Sequence, residues 1–559
     1  MSALSASQPE LSHARRRELG AFYTPPALAA SLVAWAVSRD TTRVFDPSFG
    51  DGRFLRSAAD HLRSLGVRAP QRRLFGVELN PAAASQPSAL KDLRVPKGQL
   101  LEGDFFGTDL SSWGGRRFDA IVGNPPYVRH HLLEQNSKRL ARAHARRVGI
   151  TLSERADCWA YFCAALLDYL EPQGRLAILL PGAILHADYA LPLLHALSEA
   201  RGRTRLIRIQ KRMFEDVVER TVVLLIDGRR RKPGVDYREV DDLTELRRVL
   251  GEAPGSQRGW RSGATVAPEP AGSPKTRLRT RLRWFVSQEV SATWASITAL
   301  PEIRCLGDLA QIRIGVVTGA NGFFVVDAAQ ARQLRGRGQH IRTVPVVSRG
   351  RWLTKVRWTT EDQAAYADRP SHLLVVAPTS RLTAALRTHI ENGQRQGLHE
   401  RGHCAARDVW YCLNDWRTPD LFLPYMGASA PRLVINQAEA TCTNAVHRVE
   451  LVGDQVSAAG LAAASWTSLY QLSAELFGRS YGAGVLKLEL GEAAQLQLAV
   501  VPGAARHVLA IETALSEGGV EYAQVTADRL LLEGALGIPP KQIELLREAA
   551  DQLRLRRGH

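Results

Sequence analysis

Four consecutive residues, Asn124-Pro125-Pro126-Tyr127, carry the groups that a reaction at an aromatic amino nitrogen requires. Such a nitrogen is a poor nucleophile because its lone pair is delocalised into the ring. Asn124 Oδ1 and the Pro125 carbonyl could each accept one amino hydrogen and so localise that lone pair. The prolines fix φ and hold the carbonyl rigidly, and Tyr127 offers a flat face for stacking. The tetrapeptide predicts a catalytic loop, although an Asn-Pro-Pro turn that only caps a strand has the same sequence.

Acidic residues follow three other apolar runs in the same half of the chain. Asp46 ends VFD, Glu78 lies near the end of LFGVEL, and Asp104 follows QLLEG. Glu78 is placed to bind two ribose hydroxyls, and Asp104 to accept from an adenine amino group while Phe105 packs on the ring. The turn that contains Gly50 lies where backbone must approach a cofactor closely. Carboxylates without a GxGxxG phosphate loop favour a cationic sulfonium nucleoside that has no phosphates.

The elements around these residues alternate in the rhythm of an α/β fold. Apolar runs suited to strands are VFD, LFGVEL, QLLEG, FDAIVGN, RLAILLP, RLIRIQ and TVVLLID. Amphipathic segments predict helices over residues 26–38, 52–65, 157–170 and 187–200. Together they predict a doubly wound, mostly parallel, seven-stranded Rossmann-like sheet, with its ligand loops at the carboxyl ends of the strands.

The composition changes over residues 255–280, which are rich in Gly, Pro, Ser and basic residues and predict a linker. This divides the chain into a catalytic, cofactor-binding domain over residues 1–254 and a second domain over residues 281–559. The second region contains strand-like RIGVVTGANGFFVV and PRLVINQ and is helical from about Pro502. We therefore expect a mixed α+β domain with a helical C-terminal end.

The charge of the chain favours a polyanionic partner. The 559 residues include 73 Lys and Arg and 56 Asp and Glu, which gives a formal net charge of +17. We see no signal peptide and no apolar run long enough to span a bilayer, so we expect a cytoplasmic protein with no membrane partner. The six cysteines are scattered, and no metal site is predicted.

These motifs occur in the order found in a known enzyme family. From Gly20 to Asp227 the chain reads GAFYTPP, DPSFGDGRF, GVELNP, GDFF and NPPY. In this the sequence closely resembles the gamma-class N6-adenine DNA methyltransferases of bacterial restriction-modification systems, the TaqI-like group. The resemblance implies a methyltransferase fold, S-adenosyl-L-methionine as the cofactor, and transfer of its methyl group to adenine N6 in duplex DNA by base flipping.

The resemblance also implies roles for individual residues. The expected cofactor contacts are Thr24, Asp46, Ser48, Gly50, Glu78, Asp104, Phe105 and Phe162. Thr24, Asp46 and Ser48 would surround the methionine moiety, and Phe162 would add an aromatic to the cofactor pocket. Phe214 falls where the family places a second aromatic against the flipped base, which makes the expected catalytic set Asn124, Pro125, Pro126, Tyr127 and Phe214.

Two parts of the chain are candidates for DNA contact. The C-terminal half resembles the target-recognition region of the family, in IGVVTGANGFFVV, PRLVINQAEATCTNAVH and YGAGVLKLE. The basic segment over residues 128–147 follows the NPPY loop directly and is expected to be a DNA-contacting loop, with a solvated helix face as the alternative. A separate cognate restriction endonuclease or another phage-defence component is a possible partner.

Other functions share part of this pattern. A planar carboxamide or an RNA base could offer the same two amino hydrogens, and the cytosine N4 amino group is a closer chemical neighbour. GAFYTPP and a large basic second domain favour sequence-specific duplex DNA. The intact acidic motifs disfavour a DNA-binding subunit with an inactive methyltransferase fold. A fused nuclease is not expected either, because we see no room for one before the cofactor motifs and no carboxylate cluster for one after them.

Overall fold

A computed structural model shows two compact units, Met1–Trp284 and Phe285–His559. The structure describes residues 24–85, 87–110, 113–114, 117–127, 134–152, 156–185, 189–211, 221–230, 232–253, 256–262, 278, 281–282, 284–335, 341–378, 382–481 and 484–557.

The first unit is built on one large mixed sheet. Its strands are β1 (Val44–Asp46), β2 (Leu74–Glu78), β3 (Leu100–Glu102), β4 (Phe118–Gly123), β5 (Leu170–Pro181), β6 (Thr204–Ile209), β7 (Thr221–Asp227), β8 (Val235–Val240) and β9 (Arg261–Ser262). The nine strands lie in the order β3-β2-β1-β4-β5-β7-β6-β8-β9. Neighbours from β3 to β5 pair in parallel, whereas β7 runs antiparallel to both β5 and β6. The sheet is therefore mostly parallel, with β7 reversed between β5 and β6 and β9 antiparallel to β8 at the edge.

The predicted count of seven strands is too low. All seven predicted runs form strands, and β8 and β9 extend the sheet beyond β6. The sequence did not predict strand β8, because half of the residues in VDYREV are polar. Its Asp236 is fully buried and pairs with Arg203 at 2.6 Å, which allows a charged residue in the sheet.

The first unit also extends past the predicted boundary at residue 254. Strand β9 lies within the predicted linker and pairs with β8. Trp284 stacks on Tyr237 of β8 with ring centroids 5.5 Å apart. Long-range pairing of this kind leaves no trace in local composition, which is why residues 255–262 looked like linker.

Helices cover the sheet of the first unit. They are α1 (Pro26–Ala36), α2 (Arg53–Ser64), α3 (Pro81–Ser85), α4 (Gln135–Arg147), α5 (Cys158–Tyr169), α6 (Ala190–Arg201) and α7 (Leu243–Leu250). The four predicted helices correspond to α1, α2, α5 and α6 and are confirmed. Helix α1 begins at Pro26, where the missing backbone N–H costs no hydrogen bond. Its buried residues pack with those of α2 on one face of the sheet.

The sheet brings the predicted site residues to one edge. Asp46, Glu78 and Gly123 are the last residues of β1, β2 and β4, which pair in parallel. Asp104 follows β3, and Asn124 follows β4 directly. Because parallel strands point the same way, these residues meet at the carboxyl edge of the sheet.

The second unit mixes short strands with helices. Its helices are α8 (Gln288–Thr298), α9 (Leu306–Leu309), α10 (Asn321–Phe324), α11 (Ala328–Arg335), α12 (Thr360–Ala364), α13 (Ala384–Arg395), α14 (Gly402–Ala405), α15 (Ala458–Ala464), α16 (Ser468–Phe477), α17 (Leu490–Ala493), α18 (Val508–Ala527) and α19 (Pro540–Arg556). The helical run of α18 is broken at Gly519, whose φ is 74°. None of the helices in the described part of the chain combines the length and apolar character needed to cross a bilayer.

Within the described residues of the second unit, the strands form four sheets. They are β10 (Ile303–Cys305), β11 (Ala310–Ile314), β12 (Val325–Val326), β13 (Ile341–Val347), β14 (Arg357–Trp358), β15 (His372–Val376), β16 (Leu421–Pro424), β17 (Met426–Gly427), β18 (Val434–Asn436), β19 (Thr441–Cys442), β20 (Val446–Leu451), β21 (Arg479–Tyr481), β22 (Val485–Lys487) and β23 (Gln497–Ala499). The largest sheet has five strands in the order β11-β20-β16-β18-β14, and a four-stranded sheet has the order β12-β15-β13-β19. Strand β11 is therefore an edge strand, and the segment after it leads to the second of these sheets.

Candidate active site

The NPPY loop is held by residues of two other motifs. Asn124 Nδ2 donates to Thr24 Oγ1 at 3.3 Å, and Ser48 Oγ donates to the backbone oxygen of Asn124 at 3.3 Å. Both bonds join residues far apart in sequence. In this arrangement the amide nitrogen of Asn124 lies toward Thr24, and the amide oxygen forms the other end of the side chain.

Gly123, which precedes this loop, leaves no space for a side chain. A Cβ at Gly123 would lie 2.7 Å from Asp46 Oδ1. The β4 backbone therefore packs directly on the carboxylate that ends β1, so Asn124 and Asp46 lie close together. Sequence reasoning missed Gly123, although its position directly before Asn124 was a usable signal.

The turn after β1 is a backbone cradle. Ser48 N donates to Asp46 Oδ1 at 3.1 Å, and Gly50 N donates to Glu78 Oε2 at 2.8 Å. Gly50 has a φ of +52°, and a Cβ there would meet no atom within 4 Å. Glycine is therefore needed for its conformation, and the space beside it is open to a ligand.

Asp46 is the most deeply buried of the carboxylates predicted at this edge. Its residue is 1% exposed, and its Oδ2 is buried with no hydrogen-bond partner among the described residues. Burial raises the pKa of Asp46 well above its usual value, and the neighbouring Glu78 and Asp51 carboxylates raise that pKa further. A cationic ligand group at Oδ2 would stabilise the ionised form.

Glu78 has a structural role that its sequence position did not reveal. Its Oε2 accepts from Gly50 N and its Oε1 accepts from Asn80 N, both at 2.8 Å. It thereby ties the end of β2 to the turn after β1. Each carboxylate oxygen can accept two hydrogen bonds, so capacity for ligand hydroxyls remains.

Asp104 is oriented by a residue that sequence reasoning missed. Its Oδ1 accepts from Phe106 N at 3.2 Å, and its Oδ2 accepts from Ser137 Oγ at 2.5 Å. Ser137 lies in the first turn of α4, in the predicted DNA-contacting loop. Nothing in the sequence QNSKR distinguishes this serine, because the contact depends on how α4 packs.

The aromatic residues predicted for the cofactor pocket form a compact group. Phe105 and Phe162 stack with ring centroids 5.0 Å apart and an interplanar angle of 23°, and Phe106 meets Phe162 edge-on at 4.9 Å. All three rings are buried. They form an apolar wall directly beside Asp104.

Three other predicted catalytic residues, Pro125, Pro126 and Tyr127, follow Asn124 directly. Pro125 is buried, whereas Pro126 and Tyr127 are partly exposed. Phe214 lies outside the residues that the structure describes.

The basic segment after the loop is a helix over Gln135–Arg147, so the preferred prediction of a loop is wrong for these residues. Ala141, His144 and Ala145 of this helix are buried. Its apolar side packs against the unit, and the solvated-helix alternative describes it better.

Comparisons with known proteins find methyltransferase relatives for both units. A family model described as N-6 DNA Methylase matches residues 10–236, and one described as Type II methyltransferase M.Eco57I, C-terminal domain, matches residues 279–532. The chain is similar to the Type II methyltransferase M.XamI of Xanthomonas campestris pv. amaranthicola, with 23% identity over 498 residues that cover 87% of this chain and 86% of the relative. It is also similar to the Type II methyltransferase M.AccI of Acinetobacter calcoaceticus, with 18% identity over 487 residues that cover 85% and 84% of the two chains.

The fold is also similar to that of a solved structure. The Type IIL restriction-modification enzyme MmeI, solved in complex with DNA, matches with a TM-score of 0.58 at 12% identity. The match covers 98% of this chain and 80% of that one. At this identity the likeness concerns the fold.

Proposed function

Because the chain belongs to the gamma-class N6-adenine methyltransferases of restriction-modification systems, we propose that its reaction takes place at the carboxyl edge of the first sheet. The enzyme transfers a methyl group to the N6 of adenine at a specific DNA sequence. This placement is supported by the hydrogen bonds of Asn124 with Thr24 and Ser48, which join the NPPY loop to residues expected to bind the cofactor.

Asn124 acts on the adenine amino group in this proposal. Its side-chain oxygen and the Pro125 carbonyl accept the two amino hydrogens, which leaves the nitrogen lone pair to attack. Thr24 holds the amide nitrogen, so the amide is oriented before the base arrives. Such preorganisation lowers the barrier because no group must reorient during the reaction.

The edge fits S-adenosyl-L-methionine in charge and shape. When bound, this cofactor supplies a methyl group activated on a sulfonium cation. The open space beside Gly50 gives its chain access to backbone, and the buried Asp46 Oδ2 offers an acceptor for its positive groups. Glu78 would hold the ribose, and Asp104 with the Phe105 and Phe162 wall would hold the adenine.

The reaction is tested directly by base-resolved methylation sequencing of DNA from cells that express this chain alone. N6-methyladenine at one sequence motif is the expected result. Methylation at cytosine N4, or an absence of modified DNA, would contradict the assignment.

Affinity for S-adenosyl-L-methionine should rise with pH above the ordinary pKa of an aspartate, over the range in which the ligand's own amino group stays protonated. In the free protein the raised pKa of Asp46 favours its protonated form to higher pH than is usual for an aspartate. A cationic ligand favours the ionised carboxylate, so binding should release a proton and should be stronger at higher pH. Calorimetry in two buffers of different ionisation enthalpy measures that proton. Equal heats in both buffers would show that Asp46 does not change its protonation on binding.

Ser137→Ala should weaken S-adenosyl-L-methionine binding by roughly threefold to tenfold, since one hydrogen bond that orients Asp104 is lost. The rate at saturating cofactor should stay near that of the wild type, because Asp104 binds a part of the cofactor that does not react. Ser137→Thr keeps a hydroxyl and is the matched control. A lower saturated rate with unchanged affinity would place Ser137 in the chemistry instead.

We also propose that the second unit reads the DNA sequence. A chain ending at Trp284 keeps strand β9 and the Trp284 ring on Tyr237, so the first unit should retain its fold. We expect this chain to bind cofactor but to lose its preference for the target sequence, while it still binds DNA weakly at low salt. Competition of target and scrambled duplexes measures that preference. Full retention would move recognition to the first unit.

The cellular setting follows from the substrate. We propose that the enzyme acts in the cytoplasm, where bacterial DNA lies. We further propose that a separate endonuclease or defence component recognises the same sequence, in keeping with the Type II methyltransferase relatives. DNA methylated by this chain should then resist that endonuclease.

A further inference from the structure

The turn after β11 in the second unit is largely buried and is held by hydrogen bonds from several directions. Arg407 Nη2 donates to the backbone oxygens of Val317 and Thr318, at 2.8 and 2.9 Å. Thr318 Oγ1 donates to Asn321 Oδ1 at 2.6 Å and also accepts from Ala320 N at 3.1 Å. Both carbonyls and both side chains of the turn are thereby fixed.

Close packing adds to this rigidity. Gly319 has a φ of +77°, and a Cβ there would lie 2.9 Å from His403 Cβ and 3.0 Å from Cys404 Sγ. The turn therefore rests directly on α14, and only glycine meets both conditions. The Arg407 guanidinium also lies 5.3 Å from the centre of the Phe324 ring. The hydrogen bonds from Arg407 and the contact with α14 together fix the backbone of the turn.

This rigid turn forms the wall of a cavity of about 280 Å³. Its lining includes Thr318 and four exposed polar residues, Asn321, Arg401, His403 and Asn444. None of the described lining residues is acidic. Exposed side chains of this kind add little to stability, so their clustering around one cavity with a fixed wall needs another explanation.

A second cavity, of about 580 Å³, adjoins the first at Val317 and runs along β11. Asp415 lines it and accepts two hydrogen bonds from the buried Arg448, at 2.8 and 2.5 Å. Val317 and Ile314 are exposed there, at 38% and 42%. The groove formed by the two cavities thus offers donors, a fixed acceptor and exposed apolar side chains.

We propose that this groove reads base edges of the recognition sequence and that Asn321 and Arg401 are specificity-determining residues. The inference rests on the proposed function of the second unit. A phosphate site would need donors only, whereas a base edge presents donors, acceptors and the thymine methyl group. Asparagine matches adenine, arginine matches guanine, and a carboxylate accepts from the cytosine amino group. The groove holds all three residue types, with Asn321 and Arg401 exposed beside the fixed turn.

The test compares the methylated motifs made by Asn321→Ala, Arg401→Ala and wild type in cells, using base-resolved sequencing. Each variant should keep adenine methylation but accept other bases at one position, with the preference there reduced roughly ten- to a hundredfold. Arg554→Ala removes an exposed arginine that pairs with Asp551 on α19 and is the matched control. It should leave the motif unchanged.

Two results would overturn the proposal. An unchanged motif in both groove variants would show that the groove does not read bases. Equal weakening at all sequences, with a smaller dependence of binding on salt, would show phosphate contacts instead. If the wild type makes no N6-methyladenine, the proposed function itself fails, which is a different outcome from either of these. Both residues are exposed, and thermal unfolding of the full chain, followed by circular dichroism, checks that the second unit of each variant is folded.

Discussion

Replacing Asn124 by alanine should lower the single-turnover rate of methyl transfer by about a hundredfold or more and leave S-adenosyl-L-methionine affinity within about twofold. The loss is large because the variant removes an acceptor that is oriented before the base arrives. Thr24 holds the amide nitrogen at 3.3 Å, so the oxygen needs no rearrangement to accept an amino hydrogen. Rapid quench with a cofactor labelled at its methyl group measures the rate, and calorimetry measures the affinity.

Asn124→Asp is the matched control for that experiment, because it keeps the size of the side chain and an acceptor oxygen. It loses the donor to Thr24 and adds a charge near Asp46, so we expect an intermediate rate and altered cofactor binding. Activity of Asn124→Ala within tenfold of wild type would remove Asn124 from the mechanism. A large loss of cofactor affinity would instead mean that Asn124 acts through Thr24 on the cofactor site.

Tyr127→Ala should lower the single-turnover rate by roughly tenfold to a hundredfold through reduced extrusion of the target base. The amino group of a paired adenine faces its partner strand, so the base must leave the stack, at a cost of a few kcal/mol. Stacking on an aromatic ring returns about 1–3 kcal/mol per face. Tyr127 ends the described part of the catalytic loop and is partly exposed, as a stacking face must be. Fluorescence of 2-aminopurine at the target position measures extrusion.

Tyr127→Phe keeps the ring and should restore most of the fluorescence and the rate. Phe214→Ala applies the same test to the second predicted face. If Tyr127→Ala gave wild-type fluorescence and turnover, the ring would not be a stacking face. If only Phe214→Ala did so, the opposite face of the base would have to be supplied by another residue.

The sequence was enough to identify the reaction class because that information is local. NPPY follows the apolar run FDAIVG, and acidic residues follow three other apolar runs. These positions put the candidate site residues at strand ends, whatever the order of the strands in the sheet. The order of these motifs led to the N6-adenine methyltransferase family, which the comparisons confirm. The helices α1, α2, α5 and α6 were also predictable, since the spacing of apolar residues along each of them is a short-range signal. The roles of the individual site residues remain predictions.

What only the tertiary structure decided depends on contacts between distant residues. Strand β8 looks half polar until Arg203 is seen to neutralise the buried Asp236, and the pairing of β9 cannot be read from a linker-like composition. The raised pKa of Asp46 comes from burial and from neighbouring carboxylates of other segments. Ser137 reaches Asp104 because α4 packs beside the cofactor edge, and Arg407 reaches the turn after β11 from about ninety residues away. Local propensity favours particular elements, but long-range strand pairing, burial and hydrogen-bond partners are set by packing, which short-range patterns do not encode.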